Sequence, residues 1–119
     1  MAGAAPGGIS PWGAGVKRYL EGQGCVVLAR NWRCREGELD IVSTDGETLV
    51  VCEVKTRSGL GYGLPAESVT REKIARINRL TEKWLSSVGV GHVPVRFDVI
   101  AVLLPPGGAA ELTHFRGAF

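Results

Sequence analysis

Asp45-Gly46 sits between two stretches of strand-like alternation, Glu38 to Ser43 (ELDIVS) and Thr48 to Thr56 (TLVVCEVKT). An Asp-Gly pair tolerates the positive φ angles of a tight hairpin turn, and a period of two marks strands with unlike faces. A chain with this centre is committed to an antiparallel hairpin, and its other elements must pack around it. On the second strand Leu49, Val51, Glu53 and Lys55 share one face; on the first, Glu38, Asp40 and Val42 do. If the turn holds two residues, Thr44 opposes Glu47, Asp40 opposes Val51 and Glu38 opposes Glu53. Asp40, Glu53 and Lys55 then fall on one face, with Asp40 diagonal to Glu53. A four-residue loop is expected to give the same register; an odd loop would break it.

The flanks supply the rest of an α/β domain. Ser10-Pro11 is a helix start, with serine at the cap and proline at the first helical position. Trp12, Val16, Tyr19 and Leu20 follow at helical spacing, and Gly22 and Gly24 end the helix. Cys25 to Ala29 reads as a strand and Arg30 to Gly37 as a basic loop. Ser58 to Pro65 reads as a flexible glycine-rich loop. Thr70 caps a second helix running to about Val88, with Ile74, Ile77, Thr81, Trp84 and Val88 as its apolar stripe. Val93 to Leu104 is another strand, stopped by Pro105-Pro106-Gly107-Gly108, and Glu111 to Phe115 is a short last one. Without that last stretch, which is short enough to be left open, the order αβββαβ predicts one mixed β-sheet flanked by helices. At 119 residues there is room for one domain, expected over residues 10–119 behind a disordered leader at 1–9.

Three cysteines without paired spacing exclude a disulfide framework and a zinc site, and point to a reducing cytosol. Cys25 and Cys52 read as core residues and Cys34 as exposed. No segment reaches the ~18 apolar residues of a membrane span, so no membrane partner is expected. A net charge of +2 does not by itself mark a nucleic-acid binder; the positions of the charges must do so.

Carboxylates gathered on one sheet face repel one another, and a divalent cation relieves that repulsion. Mg²⁺ takes one or two carboxylates, with waters and phosphate oxygens completing its shell. A lysine two residues beyond Glu53 shares its face and can steady charge on a phosphoryl group. Against this, Glu-x-Lys on a strand is ordinarily a solvated ion pair worth well under about 1 kcal/mol. Asp40, thirteen residues before Glu53 and of matching parity, sets this instance apart.

The D-x12-E-x-K pattern on a hairpin resembles the PD-(D/E)xK nuclease superfamily, in its Holliday-junction-resolvase-like branch. RNWRCREGELDIV, LVVCEVKTRS, VTREK, RFDVIAV and the terminal THFRGAF resemble the bacterial YraN family over roughly residues 16–119. The resemblance implies a restriction-endonuclease-like (tRNA endonuclease-like) fold and nucleic-acid binding. It implies Asp40 and Glu53 as metal ligands for Mg²⁺ or Mn²⁺, Lys55 as the catalytic lysine, and Glu38 as a supporting group. The family's first helix carries a glutamate whose place falls here at Gly13, so a ligand or base from that helix is missing.

Arg33, Arg35, Arg57, Arg71 and Lys73 are the expected phosphate-binding residues, with Arg30, Arg76 and Arg79 adding charge. Trp32 reads as core packing in preference to base stacking, Trp84 as core, and Asp98 as a partner for Arg96 or another sheet residue. His92 and His114 read as isolated structural or surface groups. The leading expectation is a nucleic-acid-binding protein of nuclease fold, plausibly a Mg²⁺-dependent endonuclease on branched or structured DNA. The rivals are a non-catalytic nucleic-acid-binding or scaffold module and a protein-interaction domain that homodimerises through a sheet edge. RNA is the alternative nucleic acid.

Overall fold

The computed structural model describes residues 11–58, 70–104 and 106–119, the side chains of 11–14 and 58 excepted. The expected leader and the Gly59–Pro65 part of the glycine-rich loop lie outside the described residues, as do the surroundings of Gly13. The elements run α1 (Pro11–Gly22), β1 (Val26–Cys34), β2 (Gly37–Thr44), β3 (Leu49–Ser58), α2 (Arg71–Ser87), β4 (Val95–Leu104) and β5 (Glu111–Phe115). They form a mixed α/β fold in which one five-stranded sheet, ordered β1-β2-β3-β4-β5, is flanked by the two helices. Among the described residues no helix is long and apolar enough to cross a membrane.

Helix α1 begins at Pro11 and buries Val16 and Leu20, one turn apart. It stops where Gly24 takes φ +89° and the Cys25 N–H returns to the Leu20 carbonyl at 3.0 Å. Helix α2 is capped by Thr70, whose side chain accepts the Lys73 N–H, and buries Ile77, Leu80, Thr81 and Trp84. The apolar stripe expected to reach Val88 stops earlier. Val88 is the exposed C-cap, and Leu80 takes a buried place that the spacing had left unassigned.

Each sheet face carries its own core. Val16 and Leu20 of α1 pack with Ile41, Val50, Cys52, Ile100 and Val102. Ile77, Leu80 and Trp84 of α2 pack with Leu39, Val42, Leu49 and Val51. Trp32 packs at the edge of this second core. A parallel pair needs a crossover between its strands. Helix α2 lies within the connection joining β3 to its parallel neighbour β4.

The basic segment expected as a loop is mostly strand. Arg30 to Cys34 continue β1, and only Arg35 and Glu36 turn. The chain bends there through a bulge between Val27 and Ala29 and through Asn31 at φ 53°. Gly37, at φ 151°, follows the turn, and a Cβ there would lie 3.3 Å from the Leu80 side chain. Cys34, expected exposed, is therefore half-buried against the α2 core; Cys25 and Cys52 are buried as expected, and all three are free thiols.

The hairpin register differs from the two-residue expectation. Thr44 pairs with Leu49, so the loop holds four residues, Asp45 to Thr48. Asp45 Oδ1 accepts the N–H groups of Glu47 (2.9 Å) and Thr48 (2.8 Å), and Gly46 takes φ +101°. A four-residue loop preserves the parity but slides the pairing by two, so it does not give the same register.

Candidate functional site

Strand β2 pairs with β3 only from Thr44↔Leu49 to Ile41↔Cys52. Strand β3 runs on alone beside β4, which it meets in parallel from Leu49↔Val95 to Ser58↔Leu104. Beyond Cys52 the antiparallel ladder has ended, and the next two residues facing each other across the gap are Asp40 and Glu53. Carried one residue past Ile41↔Cys52, this register brings Asp40 level with Glu53, where the two-residue turn would have left them diagonal. A small cleft opens here, lined by Glu38, Leu39, Asp40, Glu53, Arg76 and Phe119 among others.

Asp40 stands in the fork. Its Oδ2 accepts the Val54 N–H at 2.8 Å, taking the donor that a further ladder rung would have used. Burial pushes the carboxyl up to about 6; the Val54 hydrogen bond and Lys55 oppose the rise, while the charges of Glu53 and Glu38 add to it. A carboxyl so poised is one that a bound cation would hold ionised.

Glu53, on the α2 face, meets Lys73 from the first turn of that helix, with Nζ 2.7 Å from Oε2. Among the described residues the buried Oε2 atom has no partner but this ammonium. Lys55 shares this environment. Burial lowers its pKa below the ordinary 10.5, the neighbouring Lys73 lowers it further, and Glu53 pulls it back up. Glu38 lies 3.5 Å from Arg33 Nε, and its buried Oε2 likewise has no hydrogen bond.

Asp40, Glu53, Lys55 and Glu38 are therefore brought together. Arg33 reaches the group through Glu38; Arg35, Arg57 and Arg71 are exposed around it, in the β1–β2 turn, late in β3 and at the start of α2. Lys73, expected on the phosphate-binding surface, is half-buried and ion-paired with Glu53. Its spacing held the signal, because Lys73 lies one turn before the buried Ile77 on the same helix stripe. Arg76 and Phe119 also line the cleft. Phe119 stacks on Phe97 with ring centroids 5.5 Å apart, a contact between distant parts of the chain that no local pattern announces.

The donor set suits a hard cation in part. Asp40 and Glu53 offer carboxylate oxygens, and the buried Oε2 of Glu53 is held only by the Lys73 ammonium among the described residues. Two carboxylates match Mg²⁺, which leaves its other positions to water and phosphate. Among the described residues no group of three or more His, Cys, Asp or Glu side chains could hold a metal ion on its own.

A second polar centre lies on the other face. Asp98, fully buried, accepts Arg96 Nε (2.9 Å) and an Arg96 terminal N–H (3.0 Å), and also the Gly117 N–H (2.9 Å). The expected pairing of Asp98 with Arg96 is thus present. His114, expected to be isolated, joins Asp98 through Nε2 at 2.7 Å and the Tyr19 hydroxyl through Nδ1 at 2.9 Å. This network ties α1, β4 and β5 together.

The model of the Uncharacterised protein family UPF0102 matches residues 14–102. The chain belongs to that family. It is the YraN family that the GELD and EVKTR blocks resemble. The UPF0102 protein of Beutenbergia cavernae is 54% identical over 100 residues, covering 84% of this chain and 85% of the relative. That of Frankia casuarinae is 54% identical over 102 residues, 86% of each. That of Nocardioides sp. is 50% identical over 100 residues, 84% of this chain and 81% of the relative. The interval shared with the UPF0102 family holds Glu38, Asp40, Glu53, Lys55 and Lys73. Among solved structures, Archaeoglobus fulgidus Hjc, a Holliday junction resolvase from an archaeal hyperthermophile, is similar over 88% of this chain and 84% of that one. Its identity is 16% and its TM-score 0.42, too loose a likeness to bear on chemistry.

Proposed function

We propose that this UPF0102 member is a nucleic-acid-binding protein of restriction-endonuclease-like fold, acting as a Mg²⁺- or Mn²⁺-dependent endonuclease on branched or structured DNA in the cytoplasm. The observation that carries the reading is the fork between β2 and β3. It brings Asp40 level with Glu53, with Lys55 two residues on, at a cleft where the buried Oε2 atoms of Glu38 and Glu53 meet only the cationic side chains of Arg33 and Lys73 among the described residues.

In this reading Asp40 and Glu53 hold the cation, which when bound supplies Lewis acidity at a phosphate oxygen. Lys55 holds a non-bridging phosphate oxygen and stabilises charge as it develops there. Arg33, Arg35, Arg57 and Arg71 contact flanking phosphates, which position the strand without reading its sequence. Glu38, paired with Arg33, orients that arginine. The same charges serve RNA as readily as DNA.

A non-catalytic nucleic-acid-binding module is the second reading. It is favoured by the lack of any three-ligand group among the described residues and by Gly13 at the family's glutamate position. The deciding experiment is cleavage of duplex, single-stranded and four-way-junction DNA with Mg²⁺ or Mn²⁺, beside Lys55→Ala. Cleavage by the wild type that Lys55→Ala loses is the expected result. DNA binding without cleavage under any of these conditions would leave the second reading.

A further inference from the structure

The place of Lys73 is costly on local grounds. It lies in the first turn of α2, where helix N–H dipoles disfavour a cation, and its side chain is only 13% exposed. The Thr70 hydroxyl accepts its backbone N–H at 3.1 Å and so pins its position on the helix. The ammonium lies 2.7 Å from Glu53 Oε2, a buried oxygen with no other partner among the described residues. Ordinary helix stability does not put a lysine there; the carboxylate in the fork does.

Charge around the fork is met without any metal. Glu38 pairs with Arg33, Asp40 and Glu53 when ionised are matched by Lys55 and Lys73, and Arg76 on the cleft wall adds one more positive charge. A dication added to this set leaves an excess of three positive charges in a half-buried place, which Coulomb repulsion penalises. Moving Lys73 off Glu53 relieves the excess, and a substrate phosphate offers that ammonium a new partner.

We propose that Lys73 is a resident counter-ion of the site: its ammonium holds the position at Glu53 that a divalent cation takes, and cation binding releases Lys73 toward the substrate phosphate. Lys73 is then a positioning residue that couples metal loading to phosphate capture. This rests on the metal-binding reading above. It accounts for a lysine facing the sheet from α2, which that reading alone leaves without a role.

The test compares Mn²⁺ binding to metal-free full-length wild type, Lys73→Met and Arg76→Met, measured calorimetrically, with folding checked by thermal melting. If Lys73 holds Glu53 most of the time, its removal tightens Mn²⁺ binding by about tenfold, since apparent affinity scales with the competent fraction. Arg76 lines the same cleft without an ion pair to Glu53, so Arg76→Met reports the effect of simply deleting a nearby positive charge. In parallel, an amine-acylating reagent read by mass spectrometry should label Lys73 several-fold more in Mn²⁺-saturated wild type, with the partly exposed Lys17 of α1 unchanged. Equal Mn²⁺ affinity in wild type and Lys73→Met would overturn the proposal. So would an equal gain in Arg76→Met, or a Lys73 that stays protected with Mn²⁺ bound. No Mn²⁺ binding by wild type or Lys73→Met would sink the metal reading itself and this proposal with it. Lys73→Gln replaces the methionine variant if that one does not fold.

Discussion

Asp40 Oδ2 accepts the Val54 N–H at 2.8 Å, so a side chain of β2 closes the hydrogen-bond ladder at the point where the two strands part. The acid that would bind a cation thus also shapes the fork that exposes it. Asp40→Ala removes the acceptor and leaves the Val54 N–H without it. The expected cost is about 1–3 kcal/mol, with Asp40→Asn losing less because an amide oxygen can replace the carboxylate. Urea denaturation of the metal-free proteins measures the order. If the alanine variant is as stable as the wild type, this hydrogen bond does not hold the fork.

The same residue separates structural from metal effects. A ligand that binds only the folded state stabilises it by about 2.7 kcal/mol at a hundredfold excess over its dissociation constant. Mn²⁺ should therefore raise the melting temperature of the wild type more than that of Asp40→Asn. Identical increments in the two proteins would place any bound metal elsewhere.

Binding of nucleic acid is predicted to be electrostatic. The logarithm of affinity for duplex DNA should fall with the logarithm of salt concentration, with a slope of about −0.9 per phosphate neutralised. Charge reversal of Arg33 together with Arg35 should flatten that slope and weaken all sequences alike. A slope unchanged by the double variant would move the contact surface away from the β1–β2 turn.

Asp98 gives the fold an acid-sensitive clamp. Burial raises its pKa, but the Arg96, Gly117 N–H and His114 hydrogen bonds outweigh that and hold it below the ordinary 3.8. A depressed carboxylate contributes stability that is present above its unfolded pKa and lost as pH falls through its folded one. Stability of the wild type should thus fall on acidification below about pH 4, the unfolded value. Asp98→Asn should show a shallower fall. At neutral pH it should be less stable by about 1–3 kcal/mol, because an amide cannot accept from Arg96, the Gly117 N–H and His114 as the carboxylate does. Chemical denaturation at several pH values tests both parts, and parallel pH profiles for the two proteins would refute the clamp.

Much of this arrangement could be read before any coordinates. Period-two alternation put Glu53 and Lys55 on the face of Leu49 and Val51, and Thr70 marked the start of α2, whereas the short strand Glu111–Phe115 was open in the sequence and is settled by its pairing with β4. The first two are local statements, each settled by side-chain direction within a few residues of chain. Register was not local. Asp45 Oδ1 satisfies two N–H groups inside a four-residue loop, and that choice, invisible to an Asp-Gly motif, slid the pairing until Asp40 faced Glu53. Nor was the extent of β1, where a bulge and a positive φ at Asn31 let a basic stretch continue as strand. Lys73 against Glu53, and His114 between Asp98 and Tyr19, depend on how helices lie across a sheet. Tyr19 and His114 are 95 residues apart in the chain. Sequence periodicity determined which residues of β3 share a face. Packing decided which charges met there, because burial makes an unpaired charge expensive and selects the arrangement in which each finds its partner.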